Sequence, residues 1–404
     1  MSETFDVCVI GAGISGASFA YRCACEGASV VVLEKEASPG GCIKSYRHND
    51  GLVSELGTRT LTNRYRTMIE LLEDMAADDL IEPLGKSSFK LSTGNGEASI
   101  MSHLSIPLAA LSMPKTLWTS SEGKSLEEHY GNILGKGNYN RLLRYAFSAV
   151  LSQPADQFPT ELLFKKRERD KTRPKQFTLK GGNLTLVESL LGHRNLELKP
   201  SFNAASITRT PNGFSVLGKD RKEIRAKSLA IAVTPEAATA LSAEIDPDLS
   251  AYISELRSSH IHSVHVSIPK NDAEDNIDAN LIGIDKPFFS VIYSPGKSDD
   301  FYTFHFDGSK KPDDTAIRTT VADTLHRPIE NINFITSRNS SLPRLSTDNL
   351  PIIEKIENQL RSSDIYLPCN YIQGLSIEDC CIQSKQEYSR WADRRKSSSS
   401  ATAA

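Results

Sequence analysis

Residues 5–10 are a short run rich in Val, Ile and Phe that stops at glycine, the pattern of a strand. Over residues 14–26 the small side chains Gly16, Ala17, Ala20 and Ala24 recur at helical spacing. They predict a helix with one face able to lie close against a sheet. Gly27 follows at the position where helices commonly end in left-handed backbone. Residues 29–33 are a second β-branched run, and it ends at Glu34. Strand, helix and strand in this order predict a βαβ unit. Further on, residues 125–150 read as helices. Residues 177–190 read as strand, Gly181-Gly182 turn and helix, with Asn183 as N-cap. One strand is expected over 196–207, a hairpin over 209–226 turning at Pro211-Asn-Gly213, and a strand over 229–233. Pro235 then suits the first position of a helix. Residues 258–306 break into short β-rich runs that predict an antiparallel sheet, and 365–367 suit a last short strand.

Composition narrows the picture. The chain has 404 residues, 39% hydrophobic and 24% charged, which excludes wholesale disorder and suggests two or three domains. A net charge of −3 argues against a nucleic-acid binder. No apolar run approaches the roughly 18 residues of a spanning helix, and no cleavable leader is read at residue 1. The seven cysteines form no C-x-x-C and no framework, so they read as buried thiols in a reducing cytoplasm. No histidine falls at ligand spacing from a cysteine pair, so no metal is expected.

The turn after the first strand carries chemistry. In Gly11-Ala-Gly13-Ile14-Ser15-Gly16, the first glycine permits the tight turn and Gly13 admits a pyrophosphate close to the backbone. Gly16 allows close helix–strand packing, and the free N–H groups of the helix start, at Ile14 and Ser15, face the phosphates. Glu34 is placed to accept both ribose hydroxyls and to repel a 2′-phosphate. A second pair, Gly40-Gly41, lets backbone run beside the same dinucleotide, which an ordinary NAD unit does not require. The string Glu55-Leu-Gly57-Thr58-Arg59 follows.

These motifs together resemble the FAD-dependent amine-oxidase superfamily, and within it most of all the oxygen-dependent type of protoporphyrinogen oxidase. The C-terminal string from Asn370 to Ser384, with Gly374, Ile377, Asp379 and Cys380, resembles that family's closing strand–loop–helix. The resemblance implies an α/β fold with a Rossmann-like, discontinuous FAD-binding domain over 1–85, 176–240 and 345–393. An α+β substrate domain, 86–175 and 241–344, is inserted, and 394–404 form a disordered tail. It implies that FAD is wrapped by the glycine motif, Glu34, Lys35, Gly40, Gly41, Gly57 and Thr58, with the adenine near Ala204. The closing helix, capped by Asp379, faces the flavin pyrimidine edge. Arg59 faces a substrate carboxylate.

The chemistry so implied is hydride transfer from a tetrapyrrole-type substrate to flavin within haem synthesis, with reoxidation by oxygen or a quinone. Other flavin amine oxidases or desaturases, a UDP-galactopyranose mutase-like isomerase and a catalytically weak flavin-binding protein stay open as alternatives. The last draws on departures from the family pattern at Cys42, Cys369 and Lys385. Phe288, Phe289, Tyr293 and Tyr302 suit either a wall for a flat macrocycle or an ordinary core. The apolar stretch 104–118 and the basic run 165–175 leave open a peripheral contact with the inner face of a membrane from the cytoplasm. A homodimer is also compatible.

Overall fold

The computed structural model describes residues 4–85, 88–105, 107, 120–270, 276–310 and 313–402. The predicted βαβ unit is present as β1 (Thr4–Ile10), α1 (Ile14–Cys25) and β2 (Val30–Leu33). The two strands pair in parallel, with Val7 opposite Val30 and Ile10 opposite Leu33. Alternate side chains of a strand point to opposite faces, and here both faces are buried. Val7, Val9, Val30 and Val32 pack into the core that holds α1. Cys8, Ile10, Val31 and Leu33 pack into the core on the other side.

A seven-stranded sheet grows around this unit. Leu196–Lys199 extends it beyond β2 in parallel, and Glu223–Ile231 pairs with β1 in parallel on the other side. The long strand Glu223–Ile231 then changes partner along its outer edge. Its first half pairs antiparallel with Gly213–Gly218, while Leu229 and Ala230 pair in parallel with Ile365 and Tyr366. The strand expected over 196–207 is two strands at opposite ends of the sheet order, Leu196–Lys199 and Ala204–Thr210. The break has a local cause. Pro200 brings no N–H to a ladder and Ser201 adopts φ 57°, so the chain turns there. Phe202 then donates its N–H to the Glu34 carbonyl at 2.8 Å.

A second seven-stranded sheet runs in the order Asn333–Arg344, Arg257–Pro269, Asp299–Asp307, Phe288–Pro295, Asn280–Gly283, Phe89–Thr93, Gly96–Ser99. It is antiparallel except where Asn280–Gly283 meets Phe89–Thr93. The aromatic residues of its strands decide one open reading. Phe288, Tyr302, Phe304 and Phe306 lie on the face turned to the helix Asp314–Leu325, in a core shared with Ile317 and Val321. They are structural core. A bulge between Phe288 and Ser290 shifts the alternation, so Val291 also faces that core, while Ser290, Ile292 and His305 line the cleft described below.

The helices over 125–150 are Leu126–Leu134 and Arg144–Leu151, joined in part by a π-helical turn at Tyr139–Leu143. Ser125 and Glu128 form a reciprocal capping box on the first. The tail expected to be disordered instead continues the last helix, Ile377–Thr402. Extending an existing helix avoids the cost of nucleation, which explains how a serine-rich end stays helical. The apolar stretch 104–118 lies almost wholly outside the described residues. No described helix is long and apolar enough to cross a membrane.

Candidate functional site

The site begins where β1 ends. Gly11 turns at φ 104°, and a Cβ there would meet the Ala232 carbonyl oxygen at 2.3 Å. A Cβ on Gly16 would lie 2.0 Å from the Gly11 carbonyl oxygen. Both positions therefore require glycine, as close strand–turn–helix packing demands. The second glycine pair lies directly on the first motif. Gly40 donates its N–H to the Ala12 carbonyl at 2.9 Å, and a Cβ on Gly41 would lie 3.1 Å from the Gly13 Cα. Gly13 is the N-cap of α1 and makes no side-chain cap, and the first turn of α1 carries no acid. The free N–H groups of this helix start thus face the cleft with the positive end of the helix dipole.

Glu34 is buried at the end of β2. One carboxylate oxygen accepts the Ala12 N–H and the other the Glu36 N–H, both at 2.9 Å. These bonds hold the carboxylate fixed, and its remaining lone pairs are free for ligand hydroxyls.

The Glu55–Arg59 string is held by a different set. Buried Glu55 accepts the Asn183 N–H at 2.7 Å and the Ser45 hydroxyl at 2.9 Å. Burial pushes its carboxyl up to about 7, against the pull of those donors and of Arg59. Asn183 does not cap its helix with its own side chain. Its backbone is already helical, and its amide turns back to donate to the carbonyls of Thr58 (2.8 Å) and Arg59 (3.1 Å). Glu55 and Ser45 satisfy the N–H groups of Asn183 and Leu184 in its place. Arg59 is half-buried, and its guanidinium donates to the Tyr293 carbonyl of the second sheet.

The closing helix differs from expectation by three residues. Its N-cap is Ser376, not Asp379. Ser376 Oγ accepts the Asp379 N–H at 3.1 Å, and Asp379 Oδ2 accepts the Ser376 N–H at 3.1 Å, which is a capping box. Asp379 is buried, and its other oxygen takes Lys165 Nζ at 2.8 Å and Arg167 Nη2 at 2.5 Å. Those two cations belong to the basic run expected at a surface. A third, Arg173, pairs with Glu73 and Asp78.

Gly11, Gly13, Glu34, Gly40, Gly41, Arg59, Lys165, Arg167, Ser376 and Asp379 border one cleft of about 1610 Å³. Pockets for single small ligands run to about 1,000 Å³, so this one has room for a dinucleotide together with a second molecule. Every expected site residue lines it except Gly16 and Gly374, which act behind the wall. Gly374, at φ 128°, leaves room for the Asp379 carboxylate, since a Cβ there would lie 2.8 Å from Oδ2.

Residues 9–75 match the family described as NAD(P)-binding Rossmann-like domain. No curated protein matches the chain. Among solved structures, a protein from Exiguobacterium sp. 255-15, provisionally named a protoporphyrinogen oxidase, aligns over 96% of this chain and 99% of its own. Its TM-score is 0.76 at 14% identity. Putrescine oxidase bound to putrescine aligns over 97% and 100% with TM-score 0.69 and 14% identity. A fatty acid isomerase from P. acnes that produces CLA aligns over 96% and 99% with TM-score 0.73 and 15% identity. The chain shares its fold with these three proteins over nearly its whole length.

On this fold several cleft residues escaped the sequence reading. Arg338, from the second sheet, reaches Glu36 at 3.2 Å beside Glu34. His305 accepts or donates at Ser290 Oγ (3.1 Å) and meets the Leu56 carbonyl at 3.3 Å. A ring nitrogen facing a carbonyl must carry the hydrogen, so Nε2 donates and Nδ1 accepts. Burial pushes His305 down to about 4, so the ring is neutral at pH 7. The alternation of Thr303, Phe304, His305 and Phe306 was the signal for it. The departures from the family pattern now have places. Cys369 is buried in the core and also borders the cleft. Lys385 pairs with Glu70 at 2.7 Å, and Cys42 donates to the Ser341 carbonyl at 3.5 Å. Among the described residues no group of three or more His, Cys, Asp or Glu is arranged to hold a metal.

Proposed function

We propose that the chain binds FAD and is an FAD-dependent oxidoreductase whose substrate carries a carboxylate, of the kind that protoporphyrinogen oxidases act on. The observation that carries the reading is the continuity of the cleft. It runs from Glu34, past the helix start at Gly13 to Ser15, to the first turn of the closing helix, with Arg59 in its wall. Glu34 would hold the adenosine ribose by its free lone pairs, and the N–H groups of α1 would hold the diphosphate. Gly13 and Gly41 leave the backbone close enough for both contacts. FAD supplies two-electron oxidation of a C–H bond, which no side chain can perform. The chain's own work is positioning and exclusion of water. Arg59 would orient the substrate carboxylate, and neutral His305 adds a polar wall without adding charge. Oxygen or a quinone would take the electrons onward.

The charge of the cleft argues against a diamine. Arg59, Arg64, Lys165 and Arg167 line it together with Asp379, whose charge is already taken. A second reading rests on the rim. Phe89, Val150 and Phe164 line the cleft and are 49%, 72% and 51% exposed. Such a rim suits a long apolar carboxylate of fatty-acid type. An anaerobic panel of a reduced tetrapyrrole, a fatty acid and a diamine tests the readings. The expected result is rapid bleaching of bound flavin by the tetrapyrrole. Rapid bleaching by the diamine alone would refute both carboxylate readings.

A further inference from the structure

The first turn of the closing helix poses an electrostatic problem. It carries two carboxylates, Glu378 and Asp379, where the helix dipole already favours anions. The two point in different directions. Glu378 accepts the N–H groups of Thr67 (2.9 Å) and Met68 (3.0 Å), and so caps the helix Arg66–Asp74. Asp379 lines the cleft. A bare carboxylate there would repel any group that gains negative charge nearby. It is not bare. Lys165 and Arg167 both bond its Oδ1, so on the cleft side two cations meet this one carboxylate, while Glu378, which also acts on Arg167, is turned to the Thr67 and Met68 N–H groups. Lys165 also donates to the Gln373 carbonyl. Both cations line the cleft and are only 23% and 18% exposed, so solvent screens them weakly. Tyr65 borders the same wall, and burial raises its hydroxyl to about 12, so it adds no charge.

The position of this cluster relative to a bound dinucleotide follows from the rest of the cleft. Glu34 would hold the adenosine end, and the start of α1 would hold the diphosphate. The closing helix abuts that start, since Ser384 Oγ donates to the Ser15 carbonyl at 2.8 Å. The half of a dinucleotide beyond the diphosphate would therefore be held by Ser376, Ile377 and Cys380, which line the next part of the cleft.

Resting on the FAD reading above, we propose that Lys165 and Arg167 are positioning residues that set the cofactor's reduction potential by overcompensating Asp379. Reduction of flavin by two electrons and one proton leaves an anion, which an excess cation favours and a bare carboxylate opposes. The two residues come from an irregular segment more than two hundred positions before the helix. The field at the ring is thus tuned from outside the helix that faces it.

The test is an anaerobic reductive titration of the purified holoprotein against a reference dye. Lys165→Met and Arg167→Met should each lower the two-electron reduction equilibrium about tenfold, about 30 mV. Asp379→Asn keeps an oxygen for the Ser376 N–H and removes the anion, so it should raise the equilibrium by a similar factor. Lys165→Arg should leave it unchanged. Opposite signs for the cation and anion variants are what a merely structural role would not give. Potentials that stay fixed, or that shift the same way in all three charge variants, overturn the proposal. If one cation variant loses flavin, the other still decides by whether its shift is opposite in sign to that of Asp379→Asn. Wild-type protein that takes up no FAD refutes the functional reading itself, before any potential is measured.

Discussion

Two buried histidines make the stability of this protein steeply dependent on acid. His265 is 1% exposed, and burial pushes it down to about 3, with His48 adding repulsion. His305 is 6% exposed and pushed down to about 4. In the unfolded chain both return to the ordinary value of 6.5. A folded value below the unfolded one means that the unfolded chain binds more protons as pH falls. The contribution is fully present above 6.5 and is lost on acidification until pH drops below about 4 and then about 3. Between pH 7 and pH 5 each histidine costs about 2 kcal/mol of stability, and the pair about 4 kcal/mol. Glu55 works the other way. Its folded value of about 7 lies above the unfolded 4.5, so it returns about 2 kcal/mol over the same interval.

The histidine contribution is isolated by difference. The His265→Gln/His305→Gln double variant keeps Glu55 and removes both rings, and glutamine can still bond Thr303 from position 265 and Ser290 from position 305. Urea unfolding at pH 7 and pH 5, followed through buried Trp391, gives the stability of each form. The wild-type protein should lose about 4 kcal/mol more than the double variant between the two pH values. Equal losses would show that the rings are not buried neutral, and the polar wall assigned to His305 would fail with them.

Glu34→Gln can accept only one of the two N–H groups that the carboxylate now takes, and presents an N–H to the other. Urea unfolding should show a loss of about 1–3 kcal/mol, and flavin titration a Kd raised at least about tenfold; an unchanged Kd removes Glu34 from the ribose. Arg59→Ala should raise KM for a dicarboxylate substrate about tenfold to a hundredfold while flavin absorbance at full loading is kept. A fall in kcat with KM unchanged would move Arg59 away from substrate binding.

The parts of the site legible in the sequence are those whose cause is local. Gly11, Gly13 and Gly16 act within one turn and one helix, so their spacing was enough. The capping box of the closing helix was equally local, since Ser376 and Asp379 stand three apart, and the pattern pointed to Ser376 as the cap. The same holds for Pro200, whose missing N–H marked the end of one strand before the next began. The aromatic residues of the second sheet were legible through their period of two. Tyr302, Phe304 and Phe306 share one face, which leaves Thr303 and His305 for the other.

What stayed hidden is long-range. Nothing near Lys165 or Arg167 names Asp379, and a run of seven basic residues among eleven reads on composition as a solvated or membrane-facing surface. The fold brings two of those cations onto one buried carboxylate instead. Burying three charges costs several kcal/mol per ion unless each finds a partner. The cost is met here because Asp379 accepts both cations and the Ser376 N–H, while Lys165 also finds the Gln373 carbonyl. Replacing all three by apolar residues would avoid that cost. A structural role alone therefore gives no reason for an unequal set of two cations and one anion in the wall of the cleft. The unequal charge is the feature that a cofactor gaining negative charge would use.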